Sequence, residues 1–469
     1  MPKANRKSTA FSRIVKAAVV FLFATCCQFS FAIGPHEIVL VVNDDSMDSI
    51  LLGKVYKRLR SIPDSNVIRL SLPKTVYDGV STDISPDDFT TYIWKPLTAK
   101  IKDAGIDLQV LACVYSCGFP TCVTSSPPLS ITGLTFLRNK PVPPEQVKDG
   151  RYLSELFSGP SNASSPMSPS ATLDYERNRL LEDMPFPAMM LGFTGKNGAT
   201  LDELIASLER SAAADFTSPK GTFFFAVNDD VRSTCRRWEY ELAAAAIRKF
   251  PDQVVTVSTN LPTASDFPLV GFMTGNRTVD TAALTFAPGA YADNLTSFGA
   301  AFFTPDHTKV TQWLKSGAAF SSGTVVEPYA IWTKFANACV FVHSLAGCSA
   351  IESIYQSVSS PLQLLPVGDP LSKPWAPRLE PVVTIPNGPL SAMVEMSASV
   401  KDEDPSTFLR FNWLVDGKIV GSGRTIVWNS RSVGNGVHAI RVVVRRQMES
   451  VRHQDFTEVK ISVKNGGAK

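Results

Sequence analysis

An apolar strand, an Asn-Asp-Asp step and an amphipathic helix occur twice in this chain, and that recurrence constrains the fold more than any other feature. Glu37 to Val42 (EIVLVV) is a short run rich in β-branched residues. Asn43-Asp44-Asp45-Ser46 follows, then a helical pattern with Leu52, Val55, Tyr56 and Leu59 on one face. Asn, Asp and Ser favour the position before a helix because their side-chain oxygens accept the free amide protons of its first turn. Val67 to Leu72 and Leu108 to Tyr115 read as the next two strands. The order returns with Thr222 to Val227, Asn228-Asp229-Asp230, a helix through Trp238, Leu242 and Ala246, then Gln253 to Ser258 and Phe267 to Phe272. Strands alternating with helices predict a mainly parallel sheet with helices on both faces. The expected class is α/β, as two related three-layer units over residues 33–215 and 216–378. A Ser/Pro-rich segment at 158–170 reads as a mobile loop or linker between the halves.

Past the Pro-rich stretch 373–390 the period changes from helical to alternating. Ala392 to Ser399, Leu409 to Val415, Thr425 to Trp428, His438 to Val444 and Thr457 to Val463 are short strands, and Asp416-Gly417 is a hairpin turn signal. Trp413 stands mid-strand, where a sandwich core takes a large side chain. Residues 379–469 therefore predict an immunoglobulin-like β-sandwich without the inter-sheet disulfide.

The first 32 residues differ from the rest. Lys3, Arg6, Lys7, Arg13 and Lys16 precede the apolar run Ala17 to Cys27, and Ser30-Phe31-Ala32 offers small residues where a signal peptidase cuts. This pattern predicts an export signal over residues 1–32, cleaved near Ala32. The apolar run is shorter than the roughly 20 residues of a membrane span, and no later segment replaces it, so no transmembrane segment is expected in the mature chain. The protein is expected to be periplasmic, cell-surface or secreted. Its net charge of +3 comes from the leader; the remainder carries −2. A near-neutral body lacks the positive field that nonspecific nucleic-acid binding needs, and no nucleic-acid module is present. Six cysteines remain after the leader, and an oxidising compartment suggests disulfides, with Cys113, Cys117 and Cys122 as one local set and Cys339 and Cys348 as another.

The motifs Val41-Val42-Asn43-Asp44-Asp45-Ser46, Tyr115-Ser116-x-Gly118-Phe119-Pro120-Thr121, Ser321-Ser322-Gly323-Thr324-Val325-Val326-Glu327-Pro328 and Gly368-Asp369-Pro370-Leu371 together resemble a family of exported bacterial proteins. That resemblance covers residues 36–376 and carries no reaction. More distantly, the layout is similar to the gingipain and caspase-like cysteine peptidases, which have paired α/β halves followed by an immunoglobulin-like domain. In those enzymes His-Gly follows one strand and Cys the next. The matching stretches here are Gly271 to Gly275, without His, and Ala318 to Gly323, without Cys. The resemblance thus implies the scaffold without its thiol chemistry.

Three groups of residues are candidates for a site. Gly275, Ser321, Ser322, Gly323, Thr324 and Glu327 are expected at a loop where a parallel sheet binds ligands, at the carboxyl ends of its strands. Small residues there can aim backbone amides at an anion, and Ser321 or Ser322 would be a nucleophile if a base stood nearby. A tight structural turn explains the same residues. Asp44, Asp45, Asp229 and Asp230 offer oxygen ligands for a divalent cation, although helix capping also accounts for them. Cys339, His343 and Cys348 make three of the four ligands of a zinc site. No other cofactor is indicated. The expected function is a non-catalytic relative of gingipain-like peptidases that binds an extracellular or envelope ligand. The alternatives are a hydrolase using Ser322 with a carboxylate or cation, and a structural envelope component.

Overall fold

The computed structural model describes residues 33–167, 184–448 and 451–466. The export signal and residues 168–170 of the Ser/Pro-rich segment lie outside the described residues. Ten strands form one sheet: β1 (Ile38–Asn43), β2 (Val67–Leu70), β3 (Ala112–Tyr115), β4 (Ala188–Met190), β5 (Thr222–Ala226), β6 (Val254–Ser258), β7 (Leu269–Thr274), β8 (Phe286–Asn294), β9 (Phe320–Thr324) and β10 (Leu364–Gly368). Their order across the sheet is β2-β1-β3-β4-β10-β9-β8-β7-β5-β6. In the first half β1 pairs in parallel with β2 and β3, and β3 with β4. In the second, β5 pairs in parallel with β6 and β7, β7 with β8, and β8 with β9. Only β9 and β10 make an antiparallel pair within it. The halves meet at Met190 and Val367, so they share one continuous sheet rather than forming two separate units.

The recurrence seen in the sequence is also a recurrence of hydrogen bonds. Val41 of β1 lies opposite Tyr115 of β3, and Ala226 of β5 opposite Thr274 of β7. The Asp45 amide donates to Asn43 Oδ1 at 3.0 Å, and the Asp230 amide to Asn228 Oδ1 at 3.0 Å. The Asn43 amide donates to Ser49 Oγ and the Asn228 amide to Ser233 Oγ, both at 3.0 Å. Leu191 reaches back to the Tyr115 carbonyl, as Leu295 does to Thr274. Each Asn is thus an Asx turn that redirects the chain from strand to helix.

Among the described residues, helices that cover the sheet include α1 (Met47–Arg60), α2 (Lys95–Asp103), α3 (Ile131–Phe136), α4 (Leu201–Ala214), α5 (Trp238–Ile247), α6 (Val310–Lys315), α7 (Cys339–Leu345) and α8 (Ala350–Tyr355). Ser46 caps α1 by accepting from the Ser49 amide, and the left-handed Ser61 ends it. Its buried face carries Leu52, Gly53 and Tyr56, the period the sequence predicts. All residues of β1, β3, β5 and β7 are buried, as expected of strands covered on both faces. The Ser/Pro-rich segment is not a simple linker: a Cβ on Gly159 would lie 2.9 Å from Cys339 Sγ, so this stretch packs against α7.

The C-terminal strands form two antiparallel sheets. β11 (Pro381–Thr384), β12 (Met393–Val400) and β15 (Thr425–Asn429) make one; β13 (Leu409–Val415), β14 (Lys418–Ser422), β16 (Gly436–Met448) and β17 (Val451–Val463) make the other. Trp413, Trp428, Met396, Phe411 and Ile440 fill the core they share. This module is docked on the α/β body. Arg445 pairs with Glu37 at 2.8 Å, both buried, and Gln109 Nε2 donates to the Gly417 carbonyl at 2.7 Å.

Candidate functional site

The expected Ser321-Ser322-Gly323-Thr324 loop is a strand. These residues form the body of β9, and all four are buried. Ser322 Oγ lies 3.0 Å from the Tyr291 hydroxyl, which donates to Asp293 Oδ2 at 2.8 Å. Asp293 in turn pairs with Arg236, whose guanidinium also donates to the carbonyls of Thr274 and Ala336. Ser322 is therefore the outer member of a buried network that crosses β9, β8 and the segment preceding α5. Ser321 Oγ is equally buried and makes no hydrogen bond. Neither hydroxyl can meet a substrate. Gly323 is glycine for a steric reason: an added Cβ would fall 2.6 Å from Val310 Cγ1 and 2.8 Å from the Gly299 carbonyl carbon. Gly275 is likewise a packing glycine, since a Cβ there would lie 2.3 Å from the Ser233 amide nitrogen.

The two acidic steps do not converge. β1 and β5 are seven strand spacings apart in the sheet order, roughly 30 Å at ~4.8 Å per spacing. Each carboxylate has a local partner instead: Asp44 with Arg69 at 2.6 Å, Asp45 with the Ser71 hydroxyl, Asp229 with Arg237 and Asp230 with Arg232. Among the described residues no group of three or more His, Cys, Asp or Glu is placed to hold a metal ion. This removes the reading of Asp44, Asp45, Asp229 and Asp230 as one cation site, and that of Cys339, His343 and Cys348 as a zinc site.

The described cysteines are all thiols. Cys113, Cys117 and Cys122 are not joined, nor are Cys339 and Cys348. Cys339 Sγ donates to Ser357 Oγ at 3.3 Å, and Cys348 Sγ accepts from Gln356 Nε2 at 3.6 Å. Burial pushes the Cys117, Cys122 and Cys339 thiols up to about 12 and raises those of Cys113, Cys235 and Cys348 as well. A thiol held protonated is a poor nucleophile.

What the structure does bring together lies at the carboxyl ends of β7 and β8, beside Glu327. Asn294, the last residue of β8, donates to the Asn276 carbonyl at 3.1 Å and accepts from Trp313 Nε1 at 3.1 Å. Thr324, at the end of β9, donates to the Ser297 carbonyl at 3.0 Å. The Thr296 hydroxyl bonds His307 Nδ1, and Lys309 Nζ donates to the Phe298 carbonyl at 2.8 Å. These bonds tie the loops after β7, β8 and β9 to the 304–309 segment. A cleft of about 470 Å³ opens there, lined by Val231, Arg232, Leu295, Ser297, Glu327, Tyr329 and Ala330.

This edge sets Arg232, Arg277 and Lys309 against Asp230, Asp306 and Glu327, and at His307 the cations prevail. His307 is held below the usual histidine range first by burial, then by Lys309, Arg232 and Arg277, with Glu327 opposing them. Burial lowers Lys309 to about 8, against the pull of Asp306. Arg232 also makes a two-oxygen contact with Asp230, at 3.0 and 3.1 Å. Such an arrangement can receive an anionic group, which would relieve the repulsion among these cations. Of the anticipated residues only Glu327 faces this cleft. Arg277, Thr296, Ser297, His307 and Lys309 were missed. Each stands in a loop, only Ser297 falls in a motif (Ser297-Phe298-Gly299) and that motif names no chemistry, and their proximity comes from β8, which the sequence conceals behind Pro288-Gly289.

No helix among the described residues is long and apolar enough to cross a membrane. No family model and no curated protein matches the chain. Among solved structures, the fibronectin(III)-like modules of Clostridium thermocellum CbhA match at 24% identity over 18% of this chain and 98% of theirs, with a TM-score of 0.14. The spore cortex lytic enzyme SleM of Clostridium perfringens matches at 9% identity over 75% of this chain and 91% of its own, with a TM-score of 0.18. Fold and site therefore rest on the geometry of this chain itself: a mixed α/β protein with one large, mainly parallel sheet and a C-terminal pair of antiparallel sheets.

Proposed function

We propose that this is an exported binding protein that takes an anionic group of an extracellular or envelope ligand at the carboxyl edge of β7 and β8. The observation that carries the reading is that Arg232, which lines the cleft with Ser297, Glu327 and Tyr329, acts on His307 together with Arg277 and Lys309, while His307 and Lys309 line a second cavity with Asp306. At His307 the three cations outweigh Glu327, although Asp230 pairs with Arg232 and Asp306 pulls on Lys309, and that local excess favours a ligand that brings negative charge. The scaffold reading is a non-peptidase relative of the gingipain and caspase-like fold, with the C-terminal module as an immunoglobulin-like spacer. In its support, the loop after β7 (Gly275-Asn276) lies against the end of the next strand, β8, through the Asn294–Asn276 bond. The loop after β8 is Leu295-Thr296-Ser297, so the counterpart of the peptidase cysteine falls here rather than in Ala318 to Gly323. Neither loop carries His or Cys.

The experiment is a titration of a fluorescein-labelled oligoglutamate peptide followed by anisotropy. Binding that weakens about tenfold or more in Arg277→Glu, as loss of roughly 1.4 kcal/mol requires, supports the reading. Equal affinity of the wild type and Arg277→Glu, or no binding at low salt, overturns it. A second reading, hydrolysis, has one observation in its favour: the Thr296 hydroxyl is within hydrogen-bond reach of His307 Nδ1. Thr296 is fully buried, which keeps a substrate carbonyl from it. Labelling of Thr296 or Ser297 by a fluorophosphonate would favour hydrolysis.

A further inference from the structure

Glu352 is a carboxylate buried at 0% exposure in α8, and the chain segment that reaches it is the one the export reading makes the mature N-terminus. Its Oε2 accepts from the Ser349 amide at 2.9 Å and from the Ser349 hydroxyl, closing the cap of α8. Its Oε1 accepts from the backbone nitrogen of Ile33 at 3.2 Å. Ile33 is itself only 2% exposed. Around the carboxylate, Glu37 repels it. Lys373 lies close enough to feel its charge, although its Nζ donates to the Gln454 carbonyl at 2.9 Å. Burial raises Glu352 to about 7, and the charge of Lys373 does not offset it. A buried carboxylate in this position is costly unless a positive charge joins it.

We propose that cleavage between Ala32 and Ile33 places a new α-ammonium group on Glu352, so that the buried ion pair, and with it the full stability of the fold, exists only in the processed chain. This rests on the export reading. The cleavage is a hydrolysis by a processing peptidase: one water is consumed, Ala32 leaves with a carboxylate, and Ile33 keeps the nitrogen, protonated at neutral pH. That nitrogen already stands at hydrogen-bond distance from Oε1, so no rearrangement is needed. The same segment links the two parts of the protein. The Gly34 amide donates to Glu37 Oε2 at 3.0 Å, and Glu37 also holds Arg445 and Gln454 of the C-terminal module at 2.8 Å each. Tyr355, one turn further along α8, donates to the Ala188 carbonyl at 2.8 Å in β4. Anchoring Ile33 on α8 therefore fixes the docked module and the middle of the sheet together.

The test begins with the chain exported from a bacterial host. Its N-terminus is read by mass spectrometry, and the reactivity of the Ile33 amine toward reductive methylation is compared between the folded and urea-unfolded protein. The proposal expects a start at Ile33 and an amine whose pKa, read from the pH dependence of its methylation, is raised by about one unit or more in the folded state, a tenfold smaller neutral fraction. That rise should vanish in Glu352→Gln. A second protein keeps Glu352 but retains Ala32 at its start; it should melt several degrees lower than the processed chain, which keeps the test informative if Glu352→Gln fails to fold. A start at another residue would overturn the export site itself. A start at Ile33 with an amine pKa the same folded as unfolded, and no change in melting on retaining Ala32, would overturn the ion pair while leaving export intact.

Discussion

Phe193 lies face to face with Phe302, their ring centroids 4.1 Å apart and their planes 17° from parallel. Phe193 follows β4 in the first half and Phe302 follows β8 in the second, so this stack clamps the exit loops of the two halves together. Asn197 reinforces it by donating to the Phe302 carbonyl, and the Thr311 hydroxyl donates to the Asn197 carbonyl at 3.2 Å. Phe302 sits in the loop that carries His307, so the clamp also positions the cationic edge. Phe302→Ala is expected to cost about 3–5 kcal/mol, the usual range for a buried Phe, measured by urea unfolding. It should also loosen the 304–309 segment, seen as faster amide exchange there. A loss below ~1 kcal/mol would mean the stack is incidental.

The Arg236–Asp293 pair is fully buried and bonded through both Nη atoms of the guanidinium, with Nε left without a partner among the described residues, so it behaves as one unit. Asp293→Asn removes the charge that neutralises Arg236 and should destabilise by about 3–5 kcal/mol. Tyr291→Phe, which removes one hydroxyl donor and leaves the ion pair, should cost only about 1 kcal/mol. Ser322→Ala should fall nearer the Tyr291→Phe value, because its hydroxyl is the outermost member of the network. Thermal or urea denaturation of the three variants checks the ranking. A Ser322→Ala protein as damaged as Asp293→Asn would contradict it.

Acid should weaken this protein through its buried imidazoles. Burial lowers His343 and His453 to about 4, below the ordinary histidine value near 6.5. The unfolded chain therefore binds protons that the folded chain refuses between those values, and each such group removes stability as pH falls from ~6.5 toward ~4. Buried Glu239 acts in the opposite sense. Burial raises it to about 8, so it removes stability as pH rises from the ordinary glutamate value toward 8. A pH series of urea midpoints should show His343→Phe flattening the acid limb and Glu239→Gln flattening the alkaline one. Identical profiles for the wild type and both variants would refute these assignments.

How much of this was readable beforehand depends on where hydrophobic pattern and burial agree. β1, β5 and β7 were legible because a strand covered on both faces must be continuously apolar, and the Asx turns were legible because Asn-Asp-Asp can serve few other local purposes at a strand end. β9 was not, because Phe-Ser-Ser-Gly-Thr has the composition of a turn; its burial depends on Gly323 letting Gly299 and Val310 approach, which no local pattern reveals. β8 was hidden by Pro288-Gly289, where the register against β7 jumps from Phe286 opposite Leu269 to Tyr291 opposite Gly271. β10 was missed because it returns through the middle of the sheet from far along the chain. Five of the C-terminal strands were legible from their alternation, whereas β11 lay within the Pro-rich stretch and β14 was hidden after the Asp416-Gly417 turn; Trp413 is buried in their core as expected. The site escaped because it is assembled by β8 and β9, the two strands whose sequences look least like strands.

The thiols give a further expected outcome. With burial raising all six, modification by a neutral thiol reagent at pH 7.5 should be slow for the folded protein and lead first to Cys235, which alone among the described cysteines is not fully buried. Mass spectrometry of the alkylated protein identifies the site. Rapid labelling of Cys113 or Cys339, which lie in the core, would contradict the packing described.

The cationic edge is the claim on which the functional account turns, and the titration of His307 probes it without knowledge of the natural ligand. In protein carrying ring-labelled histidine, the His307 pKa followed by NMR should lie below the ordinary ~6.5. It should rise toward that value in Arg277→Glu and rise again when oligoglutamate is added to the wild type. A His307 pKa at or above ~6.5 in the free protein, unmoved by Arg277→Glu and by the peptide, would show that the cations do not act together there.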